Sequence, residues 1–177
     1  MYKNSPYNII RNDEYSLEII KPIHIEEIRK WRNNQIDVLR QLKPISKKQQ
    51  ENYFKNNIWS NMNKVHPKNI LFAYNHKNKF IGYGGLVHIS WKELKAESSF
   101  LLDNLIKIGT NEYEKYLNNF FWLLKKFAFE ELRLKKITSE TFSYRTEHIA
   151  LLEKLGFNKY KNQINSISVH HILLPNS

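Results

Sequence analysis

Residues 113–157 change hydrophobic period twice. Tyr113, Tyr116, Leu117, Phe120, Phe121, Leu124, Phe127, Ala128 and Leu132 recur at helical spacing, which predicts a long amphipathic helix. Residues 135–141 then alternate, with Ile137, Ser139 and Thr141 on one side, as in a strand. Ile149, Leu152 and Leu155 return to the helical period, and Gly156 is placed to end that helix. Helix, strand and helix in this order predict a crossover unit in a mixed or parallel sheet.

The preceding residues read in the same way. Residues 15–21 form a first strand, and Pro22 suits the start of a helix over 23–34. Ile25, Ile28 and Trp31 share that helix's inner face; Arg29, Arg32 and Asn33 lie off it. Residues 37–43 are a turn or short helical piece before Pro44. Ser46 with Gln49 has the capping-box spacing, opening a helix to residue 61 with Tyr53, Phe54, Ile58 and Trp59 inward. Residues 69–75 and 80–89 make a hairpin around the polar turn 76–79. Gly82, Gly84 and Gly85 are three of the chain's 5 glycines, so this second strand should contain a bulge or a close backbone approach. In the strand over 94–103, Leu94, Ala96, Ser98, Phe100 and Leu102 face one way; Lys95, Glu97, Ser99 and Leu101 face the other. The polar side meets solvent or lines a cleft. Residues 158–161 and 166–174 complete the sheet.

Composition narrows the class. The chain has 177 residues, 41% hydrophobic and 14% aromatic, which fits one domain over 1–177 with a substantial core. No apolar run is long enough to span a membrane, and the N-terminal stretch lacks the apolar centre of a signal peptide, so a cytoplasmic protein is expected. With no cysteine, disulfides, a thiol nucleophile and cysteine metal sites are excluded. No metal is expected: His170 and His171 are strand neighbours pointing to opposite faces, and no H-E-x-x-H spacing occurs. There is no G-x-S-x-G elbow, and no P-loop lysine follows the glycines. The formal charge of +11 favours polyanionic ligands, although Lys- and Asn-rich composition also follows from an AT-rich genome. A nucleic-acid-binding module is disfavoured, because no RRM, KH, zinc-finger or RGG feature accompanies the charge.

The run R-T-E-H-I-A-L-L-E-K-L-G-F, residues 145–157, resembles the signature N-x-x-A/S-I-x-L-Y-E-K-L-G-F of the GCN5-related N-acetyltransferase (GNAT) superfamily. The W-R-N of residues 31–33 and the G-Y-G-G-L run are similar to members that acetylate amino sugars on nucleotide carriers. The resemblance spans residues 15–174. It implies an α/β fold of mixed type, a twisted, splayed sheet of about six or seven strands flanked by about four helices. It implies an acetyl-coenzyme A-dependent N-acetyltransferase acting by direct attack of an amine on the thioester. A 4-amino sugar on a nucleotide carrier, in surface-glycan synthesis, is the expected acceptor; a protein N-terminus is the alternative. A homodimer is left open.

The resemblance also distributes roles. Glu97 matches the carboxylate that deprotonates the acceptor, and His88 is a second candidate for proton transfer. Leu101 and Leu102 lie on the strand that pairs with the cofactor arm. Lys107, Ile108, Gly109, Thr110 and Asn111 occupy the pyrophosphate loop, and Arg145 and His148 the signature positions nearest the arm. Trp31, Arg32 and Asn33 fall at the acceptor side. Two departures stand out: Arg145 replaces the signature asparagine, and Leu152 replaces the tyrosine that protonates the departing thiolate, leaving that task to Tyr144, to water, or to no acid at all, since a thiolate is a good leaving group.

Overall fold

The computed structural model describes residues 9–161 and 167–175. Eight strands form one sheet in the order β1-β2-β3-β4-β5-β6-β8-β7. In chain order these are β1 (Ile9–Asn12), β2 (Tyr15–Ile19), β3 (Ile70–His76), β4 (Lys79–Ser90), β5 (Lys95–Leu102), β6 (Lys136–Phe142), β7 (Asn158–Lys161) and β8 (Ser168–Leu173). The main helices are α1 (Ile25–Asn33), α2 (Lys47–Tyr53), α3 (Asn111–Lys125) and α4 (Thr146–Lys154). The mixed sheet agrees with the sequence expectation, with one strand more than the upper count. The added edge strand is β1, which pairs antiparallel with β2 through Ile9 opposite Glu18 and Asn12 opposite Tyr15. Its four residues are too few to show a clear alternation.

α3 lies where its apolar stripe predicts. Tyr113, Tyr116, Leu117, Phe120, Phe121 and Leu124 are buried. Phe120 is fully enclosed, its ring 5.4 Å from Tyr74, 4.6 Å from Phe100 and 5.4 Å from Phe121. The helix reaches the sheet this closely because β4 carries glycine beneath it. A Cβ on Gly84 would lie 2.2 Å from the Ser99 carbonyl oxygen and 2.7 Å from Phe120. Gly84→Ala should therefore cost about 1–3 kcal/mol of stability, read from the denaturation midpoint, because rigid backbone must give way. Gly85 has φ +150°, and its own Cβ would meet the Ile70 carbonyl oxygen at 2.2 Å. The glycine run is thus a close approach of backbones, as its position in a strand interior implies.

The Ser46–Gln49 capping box is formed: the Ser46 hydroxyl accepts from the Gln49 amide at 3.3 Å, and the Gln49 side chain accepts from the Ser46 amide at 2.8 Å. α2 continues through a wider turn, Phe54–Trp59, to Met62. Phe54 and Ile58 are buried, but Tyr53, expected inward, is 44% exposed because it sits at the edge of the apolar face. α4 begins at Thr146, with Arg145 at the N-cap position making no side-chain cap hydrogen bond. Gly156, at φ +92°, takes the left-handed conformation that ends α4.

Candidate active site

The sheet opens between its two parallel neighbours. β5 and β6 pair only through Lys95–Lys136, Ala96–Ile137 and Glu97–Thr138. Beyond Glu97, β5 stays on β4, with Gly82 opposite Leu102, while β6 stays on β8, with Phe142 opposite Ser168. The two strands therefore diverge, each held by its outer partner. Two connected cavities fill the opening. The inner, about 140 Å³, is lined by Glu97–Phe100 from β5, Ser139–Phe142 from β6, and His148. The outer, about 460 Å³, runs along Leu101, Leu102, Lys107, Ile108, Tyr113 and Glu147. Val38, Phe100 and Arg145 line both.

The outer cavity ends at the start of α3. Thr110 is its N-cap: the hydroxyl accepts from the Tyr113 amide at 3.2 Å and donates to the Lys107 carbonyl at 2.6 Å. Gly109 has φ +82°, which a residue with a side chain rarely adopts. The first-turn amides of α3 have no helical acceptor and lie at the positive end of the dipole, so the loop favours an anion. Lys107, Ile108, Gly109, Thr110 and Asn111 are thus contiguous with the opening, alongside Leu101, Leu102 and Arg145. A Cβ on Gly109 would stand 3.2 Å from a Glu147 carboxylate oxygen, so one acidic group already faces this loop. Removing it with Glu147→Gln should lower KM for a polyanionic co-substrate about threefold, since an exposed charge interaction is worth up to about 1 kcal/mol.

A strap follows α1 and crosses the mouth of the cleft. Gln35 donates to the Leu102 carbonyl at 2.9 Å, and Tyr144 donates to the Asp37 carbonyl. Arg40 bridges the lips of the opening: it pairs with Glu97 on β5 and, at 2.9 Å, with Glu140 on β6. Glu97 therefore faces the inner cavity, its side chain 19% exposed. Sequence reading missed Arg40 and Glu140. The partners are 100 residues apart, and only the crossover that parts β5 from β6 brings them together.

The other expected site residues are placed differently. His88 is exposed at φ +52° in the irregular stretch where β4 and β5 lose register, its amide donating to the Asn69 side-chain oxygen at 3.2 Å. It lines a neighbouring surface hollow with Tyr53, Asn57, Lys68 and Asn69, not the inner cavity. Trp31 is in the core, its ring 4.7 Å from Phe80. Arg32 donates to the Gln41 side chain at 3.0 Å and the Tyr83 hydroxyl at 2.9 Å. The Asn33 oxygen accepts from Gln41 at 3.0 Å and from the Ile45 amide at 2.9 Å, while its amide donates back to Ile45 at 2.9 Å. Asn33 and Arg32 thus anchor the end of the strap. Asn33→Ala should cost about 2 kcal/mol, measurable by denaturant unfolding, because it leaves half-buried partners unpaired.

His148 is the most perturbed titratable group of the cleft. It is buried, and Tyr113 hydrogen-bonds its Nδ1 at 2.9 Å. Burial first, then the charges of Arg145 and His171, push it down to about 3, so it is neutral at physiological pH. Its native pKa lies below the unfolded value, so protonation favours the unfolded chain. Its contribution is complete above about pH 6.5 and shrinks by about 1.4 kcal/mol per unit as pH falls toward 3. His148→Gln should flatten the fall of stability below pH 6.5 in a pH series of denaturant melts. Leu152, at the signature tyrosine, is fully buried. Among the described residues, no group of histidines, aspartates or glutamates could hold a metal ion.

This geometry coincides with the sequence comparison. A family model for the acetyltransferase (GNAT) domain matches residues 17–171. The chain belongs to the GNAT acetyltransferase family. It is an acetyl-coenzyme A-dependent N-acetyltransferase, transferring acetyl to an amine. A search of curated proteins returned no match. Among solved structures, it is similar to the Vibrio cholerae spermidine N-acetyltransferase in complex with CoA and spermine. That likeness has TM-score 0.78 and 16% identity, covering 93% of this chain and 98% of the other. A dodecameric structure of the Vibrio cholerae enzyme in an intermediate state gives TM-score 0.70 and 18% identity, covering 93% and 96%. A putative acetyltransferase gives TM-score 0.71 and 14% identity over 97% of this chain and 89% of that one. At these identities the likeness is one of fold. No helix among the described residues is long and apolar enough to cross a membrane.

Proposed function

We propose that this acetyltransferase acylates the amine of an amino sugar carried on a nucleotide. The supporting observation is the charge pattern on the acceptor side. One cation-binding position, between Glu97 and Glu140, lies at the parted strands. Val87 connects the inner cavity to the hollow lined by Tyr53, Asn57, Lys68, Asn69 and His88, which contains no carboxylate. That surface suits an acceptor with one ammonium group, hydroxyls for the asparagines and anionic phosphate for the lysine. Arg32, Tyr53 and Tyr83 line a further small recess beside Ser99.

The cleft's residues divide the work. Lys107 and the first-turn amides of α3 hold the pyrophosphate, and the unpaired flank of β5 aligns the arm. Acetyl-coenzyme A supplies the activated acetyl thioester. Glu97 takes the proton that the amine must lose, worth roughly 100-fold or more. Alignment of amine and thioester in the opening is worth about 7 kcal/mol or more. Backbone amides freed where β5 leaves β6 polarise the acyl oxygen. Arg40 holds the place of the incoming ammonium between the two carboxylates. Arg40→Ala should lower the acceptor KM about threefold in initial-rate measurements, since the ammonium no longer displaces a partly exposed ion pair.

A polyamine acceptor is the second reading. Two carboxylates facing one cation favour it, and two of the three structural neighbours named above are spermidine N-acetyltransferases. The test is thiol release with a nucleotide 4-amino sugar, spermidine and an N-terminal peptide in parallel. The proposal expects kcat/KM for the amino sugar to exceed the others by about tenfold or more, a difference of about 1.4 kcal/mol. Higher turnover of spermidine replaces it with the second reading, and turnover of peptides alone removes both.

A further inference from the structure

The cleft offers no tyrosine where the family signature carries one. Leu152 is fully buried and has no proton to give. Tyr144 is 61% exposed, stacks on Phe142 and spends its hydroxyl proton on the Asp37 carbonyl. Among the described residues lining the inner cavity, His148 is the buried group with a ring nitrogen left over, beside the small hydroxyls of Ser139 and Thr141. Its Nδ1 is engaged by the Tyr113 hydroxyl at 2.9 Å. Its Nε2 has no hydrogen-bond partner among the described residues, and the His148 side chain lines the inner cavity.

The tautomer follows from the neighbours. Arg145 at the start of α4 acts on the Tyr113 hydroxyl as a positive charge. A guanidinium can only donate, so the single phenolic proton points away from it, toward His148 Nδ1. Nδ1 is then the acceptor, and the ring proton sits on Nε2, facing the cavity. Arg145 and His171, which also faces this ring, both oppose a second proton. The ring is a neutral, oriented N–H donor.

We propose that His148, oriented by Tyr113, donates its Nε2–H hydrogen bond to the departing sulfur of coenzyme A, in place of the missing phenol. As the C–N bond forms, the C–S bond breaks with its electron pair on sulfur. The Nε2–H holds that pair as a thiolate. The amine's surplus proton leaves through Glu97, and the thiolate gains its proton from water on release, so the ring's protonation is unchanged over the cycle. Tyr113 is a positioning residue. A fixed donor in a dry site stabilises the developing anion without reorganising.

The test uses the full chain. His148→Phe fills the same space without an N–H; His148→Gln places an amide N–H near the Nε2 position. The proposal expects kcat to fall about tenfold or more in His148→Phe, with KM for acetyl-coenzyme A within about threefold, and to recover most of that loss in His148→Gln. Two readouts do not involve turnover. In the free enzyme, nitrogen NMR should find the Nε2–H tautomer, and Tyr113→Phe should mix the tautomers. With coenzyme A bound, thiolate ultraviolet absorbance should appear about one pH unit lower in the parent than in His148→Phe. An Nδ1–H tautomer in the parent, an unchanged thiol titration, or kcat within threefold in His148→Phe would each overturn the proposal. If His148→Phe does not fold, the parent tautomer and the Gln variant decide it: an Nδ1–H parent, or a Gln variant as slow as the uncatalysed reaction, counts against the donor.

Discussion

Glu97→Gln should lower kcat about 100-fold at pH 7 while leaving acetyl-coenzyme A affinity within about threefold. The substitution keeps the shape of the side chain and removes its charge, its ion pair with Arg40 and its ability to take a proton. Glu97 stands at the last rung before β5 and β6 part, so it is the carboxylate nearest the point where the opening begins. It also pairs with Arg40, which neutralises it until an acceptor arrives. Two consequences separate catalysis from mere charge. The Gln variant should keep its rate loss at saturating acceptor, because proton removal acts on kcat and not on binding. It should also bind the acceptor only modestly more weakly, because Glu140 remains on the opposite lip. A rate within threefold of the parent would assign proton removal to another group, with Glu140 or water next in line.

Phe120→Ala should destabilise the protein by about 3–5 kcal/mol, the largest effect expected of any single truncation here. Its ring is fully buried where α3 crosses the sheet, in contact with Tyr74, Phe100 and Phe121. Phe100 lines both cavities, so the void would lie directly behind the cleft. Activity lost by this variant should return in part on cooling or with saturating acetyl-coenzyme A, which binds the folded chain alone and raises its midpoint by mass action. Denaturant unfolding with and without the co-substrate measures both effects.

Much of this architecture is written in local pattern. The stripe from Tyr113 to Ala128, the alternation of Ile137, Ser139 and Thr141, and the Ser46–Gln49 box each rest on near-neighbour physics, and each occurs where it is read. The loop before α3 is also legible, because Gly109 and Thr110 carry conformational meaning by themselves. What sequence does not reveal is long-range. Trp31 packs into the core, as its place on the inner face predicts, while Asn33, which the resemblance puts at the acceptor side, spends its three bonds on Gln41 and Ile45. The periodicity placed these residues on a helix correctly and could not say what would fold against them. Arg40, in a turn with no periodic signal, gains its meaning only from Glu97 and Glu140 on separate strands. The resemblance singles out His148, but its hydrogen bond to Tyr113 from another helix is not visible in the local pattern.

The central claim is that the gap between β5 and β6 is where the acetyl group is carried. A crystal structure of the enzyme with acetyl-coenzyme A tests it directly. The account predicts the thioester between residues 97–100 and 139–141, the pyrophosphate against residues 107–111, and the sulfur within hydrogen-bond reach of His148 Nε2. Strands paired along their whole length, with the coenzyme bound elsewhere on the surface, would contradict it.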